Sequence, residues 1–472
     1  MEYRQQLRQA LTKLERIVLE QRQAVAAGGG DPAVFREAVA RLRVALDGIG
    51  RVGFVALAQA GEESAGVLER AGVRYRFKQA VAKEWMTIWG KVTVLRRLYQ
   101  ADAGGPSWVP LDGRCGMAAR FLTPELERLV VYLGAQLVPA EVEASLAEVL
   151  PEPVSRTAIQ HVLTAVGGCA EAQADEVEVA VQQAAPLSVD GDVLVTSWDG
   201  VTVPLREAAP KRGRPAERPG VEDTRQMPTA WKEAAVGLVA SYQTTAEGPQ
   251  LQDVRYEARM PEAKMVTLMG RLAGQTAAAL ARGQYRQRVL LADGQREIWR
   301  RASEQPVYRD FTQIVDFYHA TEHLSQAAEQ LFGKSTPRAD AWYERWRHRL
   351  RHQPGGVAQL LRSLRYYRRR LRSDRTRHQA VSQELTYFVH NRARMDYAGY
   401  RARGLPIGSG PVEAACKTVV GHRLKRSGMR WTRVGGQHIL NLRVHVQSKR
   451  WESFWNWYLQ YTDQRSRYEL AA

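Results

Sequence analysis

The sequence predicts an α/β core interrupted by a helical insertion and preceded by a mostly α-helical region. Three observations lead there. Between about residues 187 and 334, runs of branched and aromatic residues alternate with helix-patterned ones. Residues 335 to 396 keep helical spacing and are rich in arginine. The first 84 residues carry apolar positions at helical intervals.

Composition narrows the class. The chain has 472 residues, 44% hydrophobic and 25% charged, the balance of a folded protein with several domains. Three cysteines (Cys115, Cys169, Cys416) are too few for a disulfide framework or a cysteine-rich zinc site. No run approaches eighteen apolar residues, and the polar, helix-patterned start lacks the apolar stretch of a secretory signal, so a cytoplasmic location with no membrane partner is expected. Lys and Arg exceed Asp and Glu by 18, with a pI near 10.0. Such a chain attracts polyanions, and nucleic acid is the expected partner ahead of an acidic protein.

The elements follow in order. Leu7, Leu11, Leu14, Val18 and Leu19 fall on one face of an opening helix, and Phe35, Val39, Leu42 and Leu46 repeat the pattern after Asp31-Pro32. Residues 1–84 are therefore read as a helical region. Residues 85–100 turn β-like around Gly90-Lys91, and 101–116 read as a loop. Thr123-Pro124 and Pro139 open two short helices, and Ser155 caps a third carrying Arg156, Thr157, Gln160 and His161. This fits a helix-turn-helix and equally a plain three-helix bundle, so 85–186 is a candidate DNA-binding region. From 187, VDGDVLVTSWDGVTVPL reads as a strand, an Asp199-Gly200 turn region and another strand. Two further strands, a helix over about 261–283, the strand RVLLADG, a short helix and the strand FTQIVDFYH follow, the last running into a helix from about 319. That succession is the order of an RNase H-like fold. The core spans 187–334 and 397–450, with 335–396 as the basic insertion and 451–472 as an aromatic C-terminal helix.

The chemistry gathers on acids. Asp199 in SWDG and Asp293 in VLLADG end hydrophobic strands, and carboxylates leaving buried strands stand at a sheet edge where metal or substrate reaches them. Either alone also reads as an Asp-Gly turn. With Gly410 as cap and Pro411 at the first helical position, Glu413 falls in the first turn of a helix, where it favours the helix dipole or pairs with Lys417. Three carboxylates brought together would hold one or two hard divalent cations.

At WDG, LLADG, DFYHATEHL and GLPIGSGPVEAACK the chain resembles the DDE transposases of bacterial insertion sequences, in the RNase H-fold group related to Mutator-like elements. The likeness covers roughly residues 85–450. Spacings of 94 residues (199 to 293) and 120 residues (293 to 413) fit an interrupted core. The GSGPVE block with downstream GHRLKRSGMRW is its most specific part.

The resemblance implies that Asp199, Asp293 and Glu413 bind Mg²⁺, with Mn²⁺ as a substitute, and catalyse cleavage and strand transfer of element ends. Asp190 and Asp192 lie on the same approach as alternatives to Asp199. Asp316 and His319 match an Asp-x-x-His element and are supporting residues. The implied partners are double-stranded DNA, as element ends and target, and further copies of the chain on DNA, in a bacterial nucleoid-associated location. Alternatives are a DNA-binding protein derived from such an enzyme, a structure-specific nuclease on the same core, and a zinc peptidase using His319, Glu322 and His323 of HATEH.

Several segments read as DNA contacts. Arg212 and Arg214 in PKRGRP resemble an AT-hook core, or form a solvated loop. Residues 334–377 carry fourteen Lys and Arg against three acids, including Arg368, Arg369 and Arg370. A run of one sign suits phosphate contacts better than a solvated helix face. Lys417, Arg423, Lys425 and Arg426 accompany the Glu413 helix. Trp431 is expected to pack or to stack on a base, and Trp451, Trp455 and Trp457 to fill a core or an oligomer contact.

Overall fold

The computed structural model describes residues 2–102, 104–105, 107–118, 120–206 and 229–471. The chain divides into two compact units, one of Met1–Gln173 with Glu452–Ala472, the other of Ala174–Trp451.

The first unit opens with a helical hairpin, α1 (Glu2–Ala27) and α2 (Pro32–Ala60). Gly29 and Gly30 make the turn with φ of 60° and 86°, and the Asp31 carboxylate caps α2 by accepting from Ala33 N at 2.8 Å. Leu7, Leu14, Ile17 and Val25 of α1 are half-buried, as is Ala45 of α2, and Ala38 is buried. The expected single apolar face divides in two. Leu11, Val18 and Leu19 on α1, and Phe35, Val39, Leu42 and Leu46 on α2, stay exposed. Leu11 and Val18 follow the seam positions Ala10 and Ile17 by one residue, as Val39 and Leu46 follow Ala38 and Ala45. A step of one residue rotates about 100° along a helix, so in antiparallel helices both outer stripes turn to the same side of the hairpin.

Strands β1 (Val67–Arg70), β2 (Val73–Thr87), β3 (Gly90–Ala101) and β4 (Ser107–Trp108) form an antiparallel meander in that order. Strand therefore begins at residue 67, inside the region expected to be helical to 84. Val73, Tyr75 and Phe77 alternate as a strand should, but a bulge between Phe77 and Gln79 breaks the period that would reveal it. Helices α3 (Pro110–Arg114), α4 (Pro124–Gln136), α5 (Pro139–Ala147) and α6 (Arg156–Ala172) follow. Gly134 admits Leu163 so closely that a Cβ there would lie 2.6 Å from its Cδ2, which locks α4 to α6.

The second unit begins with α7 (Ala174–Ala184) and is built on a five-stranded sheet: β5 (Val193–Arg206), β6 (Thr229–Thr245), β7 (Gly248–Arg259), β8 (Gln287–Ala292) and β9 (Thr312–Val315). The order across it is β7-β6-β5-β8-β9. The first three pair antiparallel, while β8 runs parallel to β5, and β9 to β8. Crossovers are made by α8 (Val266–Arg282) and α9 (Arg296–Ser303). Helix α10 (Phe317–Phe332) leaves β9, and α11 (Pro337–His352), α12 (Gly356–Arg370), α13 (Arg375–Asn391) and α14 (Tyr397–Ala402) form the insertion. The chain returns through α15 (Gly410–Ala415), a π-helical stretch (Cys416–Gly421), α16 (His422–Leu424) and α17 (Arg433–Gln447). Helix α18 (Trp451–Ala471) closes the sequence. One apolar core joins the sheet to α8–α13, with Val193, Leu194, Val289, Leu290, Ile314, Leu324 and Phe388 buried in it.

One local expectation fails in an instructive way. Asp199-Gly200 makes no turn: β5 runs unbroken from Val193 to Arg206, with Asp199 facing Val236 and Gly200 facing Ala235 on β6. Gly200 leaves room for a close approach: a Cβ there would stand 1.6 Å from Oε1 of the Glu233 side chain on β6. Among the described residues, no helix is long and apolar enough to cross a membrane.

Candidate active site

The parallel pairing of β5 with β8 runs from Val193↔Gln287 to Ser197↔Leu291. Carried two residues further, that register sets Asp199 level with Asp293, which follows the last residue of β8. The carboxyl ends of parallel strands are where open α/β sheets bind ligands. Asp190 and Asp192 lie at the other end of β5: Asp192 Oδ1 accepts from Thr244 N at 2.8 Å and Oγ1 at 3.1 Å, and Asp190 accepts from Ser188 Oγ at 2.8 Å. At roughly 3.3 Å per residue, Asp192 is about 23 Å along the strand from Asp199.

Each carboxylate of the pair accepts from a backbone N–H just after it, within β5 for Asp199 and in the loop after β8 for Asp293. Asp199 Oδ1 accepts from Gly200 N at 2.7 Å, and Asp293 Oδ1 from Gln295 N at 2.7 Å. Burial pushes the Asp293 carboxyl above its ordinary value, and the like charge of Asp199 pushes the same way, while the Gln295 amide, His319 and His323 oppose. Close packing fixes the loop after Asp293. A Cβ on Gly294 would meet Tyr387 Cε2 at 2.3 Å, and Asn391 Nδ2 donates to Gly294 O at 3.0 Å.

Glu413 arrives from the other side of the insertion. Ser409, rather than Gly410, is the N-cap residue of α15, and its Oγ donates to Glu413 Oε1 at 3.1 Å. Ser409 N in turn donates to the carboxylate of Asp316, in a short contact to Oδ2. Asp316 is fully buried and caps α10, its Oδ1 accepting from His319 N at 2.9 Å. Its own N–H donates to Ala292 O at 2.9 Å, at the end of β8. Asp316 thus ties the Asp293 strand to the Glu413 helix, a positioning role.

The π-helical stretch then turns Cys416 toward the sheet. Its Sγ lies 3.7 Å from Asp199 Oδ2, and burial followed by the charges of Asp199 and Glu413 pushes the thiol up to about 12. Lys425 acts in the opposite sense on that thiol, so it too belongs to this neighbourhood.

Carboxylate oxygens are the donors a hard cation requires, and the mutual repulsion of Asp199 and Asp293 is what such a cation would relieve. Among the described residues, no three His, Cys, Asp or Glu side chains stand close enough together to hold a metal ion. The two aspartates are brought together, and Glu413 stands nearby on the Ser409–Asp316 relay. The histidines of HATEH take separate partners: His319 Nδ1 is 3.4 Å from Glu322, whereas His323 Nδ1 is 2.7 Å from Glu384 and stacks on Tyr387 at 3.5 Å.

The expected DNA contacts fall on both units. Thr157 and Gln160 are exposed on α6, as is Arg156, which pairs with Glu143 of α5. Arg369 and Arg370 are exposed and Arg368 half-buried in the last turn of α12, with Arg370 over the Tyr366 ring at 5.1 Å. Lys417, Lys425 and Arg426 are exposed. Arg423 is not a surface contact: it is 2% exposed, its guanidinium 5.2 Å from the centre of the Trp431 ring. Trp431 packs, donating Nε1–H to Leu424 O at 3.0 Å and bridging to Leu205 of β5. Trp451, Trp455 and Trp457 are buried. Arg212 and Arg214 lie outside the described residues.

Residues that sequence reasoning missed are Ser409, Cys416, Tyr387 and Asn391. The first two sit inside the GSGPVEAACK segment, where no local pattern signals that Cys416 comes to lie against Asp199. Compared with known proteins, the chain matches no protein-family model and no curated protein.

Proposed function

We propose that this chain is a DDE-type DNA transposase on an RNase H-like core. The observation that carries the reading is the alignment of Asp199 and Asp293 on adjacent parallel strands, with Glu413 linked to the end of β8 through Ser409 and Asp316. A sheet of three antiparallel strands followed by two parallel ones, interrupted by helices before the final acid, supports the fold assignment.

Asp199, Asp293 and Glu413 would hold Mg²⁺, or Mn²⁺, which supplies Lewis-acid activation of the attacking and leaving oxygens at phosphorus. The residues of the chain do the rest. Asp293, with its proton affinity raised, is poised to respond to a cation. Asp316 keeps the Glu413 helix in register with the sheet, and Lys425 contributes positive charge near Cys416. Exposed Lys417, Arg426, Arg369 and Arg370 supply phosphate contacts, and the outer face of α6 is a candidate reader of DNA ends. A nucleoid-associated location follows from that partner. The bare apolar stripes of the α1–α2 hairpin support self-association on DNA.

The test is a strand-transfer assay with labelled element ends, supercoiled target, and Mg²⁺ or EDTA. Joining that requires Mg²⁺ and is lost in Asp199→Ala, Asp293→Ala and Glu413→Ala is the expected outcome. Cutting without joining points instead to a nuclease. A second reading, a DNA-binding protein without catalysis, is favoured by one observation: the three acids do not form a ready-made metal cluster. Wild type that binds DNA yet neither cuts nor joins with any divalent cation selects it.

A further inference from the structure

Helix α9 begins three residues after Asp293 and turns one face, Arg296, Trp299, Arg300 and Ser303, toward the end of α13 and the 3-10 turn after it. Between them lies a groove of about 300 Å³, also lined by Gln313, His390, Asn391 and Arg394. No Asp or Glu lines it.

The charges in this groove are unequal. Arg300 is neutralised by Glu297 and Glu304 on its own helix. Arg296 meets the His390 ring, with Nη2 2.7 Å from Nδ1 and in a short contact with Nε2. Arg394 donates Nε–H to Gln313 Oε1 at 2.7 Å and lies 4.7 Å over the Trp299 ring. Among the described residues, neither Arg296 nor Arg394 meets a carboxylate. The half-buried Arg394 guanidinium bears a desolvation cost that an anion would offset, and burial draws its proton affinity down in accord with that cost, while Arg296 is exposed at the groove's edge. Trp299 is a rigid floor for that side of the groove, 5% exposed.

We infer that this groove is a phosphate subsite, formed by Arg296 and Arg394, that seats a backbone phosphate of the DNA strand passing Asp293. Two forked, planar donors converging on one cavity suit a phosphodiester, whose oxygens accept bidentate bonds. The link to the reacting centre is short: Asn391, on the groove wall, donates a hydrogen bond to the carbonyl of Gly294, the neighbour of Asp293. The identity of the strand rests on the transposase reading. The subsite itself rests on two arginines that line one groove and, among the described residues, meet no carboxylate.

The experiment measures equilibrium binding of the full chain to a fluorescein-labelled 30-base-pair duplex across a NaCl series in EDTA, where no catalysis occurs. The double variant Arg296→Gln/Arg394→Gln is compared with wild type and with Arg300→Gln, and circular dichroism checks that each is folded. Each phosphate no longer neutralised lowers the steepness of log K against log salt by about 0.9, so the double variant, which loses one, should fall short of wild type by about 1, with roughly tenfold weaker binding at moderate salt. Arg300→Gln should match wild type, and Arg394→Lys should keep most of the slope. An unchanged slope and affinity in the double variant overturns the inference. So does a result in which inorganic phosphate raises the melting temperature of wild type alone while the DNA slope is unaltered, because the groove then takes free phosphate. Absence of Mg²⁺-dependent joining, with the slope change intact, defeats the transposase reading and leaves the subsite standing.

Discussion

Asp316→Asn is the sharpest test of how the site is held together. The native carboxylate accepts two backbone N–H groups in a fully buried setting, His319 N at 2.9 Å and Ser409 N in a shorter contact. Asparagine can still offer one oxygen to His319 and preserve the α10 cap, worth about 1 kcal/mol. Its amide nitrogen would then face the Ser409 N–H, donor against donor. The loss is one hydrogen bond to a charged acceptor, about 1.5–3 kcal/mol, and a buried N–H left without a partner. Asp316→Ala loses both bonds and the cap, roughly 3–5 kcal/mol in all. With about 2–4 °C per kcal/mol for domains of this size, melting temperature should fall by roughly 4–10 °C for asparagine and by more for alanine. Differential scanning calorimetry of the full chain measures both. Activity should fall further than stability alone explains, since Ser409 carries Glu413 with it; strand transfer well below the melting temperature reads that part. Equal melting temperatures for wild type and Asp316→Asn would refute the relay.

Other consequences are equally open to measurement. Cys416, its thiol pushed up to about 12, should react with iodoacetamide far more slowly than an unhindered cysteine at pH 8, and Asp199→Asn should speed it by removing the adjacent charge; equal rates in the two proteins would contradict that contact. Burial raises the folded-state affinity of Asp293 for its proton, so the folded chain binds more protons than the unfolded one between the ordinary carboxylate value and the raised one. Urea unfolding should therefore find wild type losing stability relative to Asp293→Asn as pH rises through that window, and regaining it as pH falls; the opposite slope sinks the argument. Gly294→Ala, which would drive a Cβ into the rigid Tyr387 ring, should cost about 1–3 kcal/mol by overpacking. Gly200→Ala meets the end of a flexible glutamate instead, and the double variant with Glu233→Ala should recover most of its loss; urea midpoints for all three proteins decide it.

Much of this architecture is legible in the residues because local and tertiary demands agree. RVLLADG and FTQIV are short, branched and bounded by breakers, and they form β8 and β9. Where one residue type answers two different demands, the sequence misleads. Gly200 after an aspartate reads as a turn, whereas its small size serves a side chain crossing from β6. Arg423 sits among surface cations in GHRLKR, yet stacking on Trp431 draws it inside. In the opening hairpin, one-letter periodicity cannot separate an inner seam from an outer stripe one residue away. The alignment of Asp199 with Asp293 is hidden for a different reason: register between β5 and β8 is set by pairing across distant segments, which no local window contains.

The way the insertion is attached has a consequence for how such a chain can change. Phe317 N donates to Ile407 O at 2.8 Å, so the polypeptide departs from the core and comes back to it at a single point. Whatever lies between is a closed excursion. Lengthening it costs little, since each doubling of a loop adds only about 0.6 kcal/mol of closure entropy. The excursion is not uniform, however: α13 packs Tyr387 and Asn391 against the loop after Asp293, so change is cheapest in exposed turns such as the one between α12 and α13. Recognition can diversify there while the stitch at 317 and 407 and the α13 contact hold the acids in place.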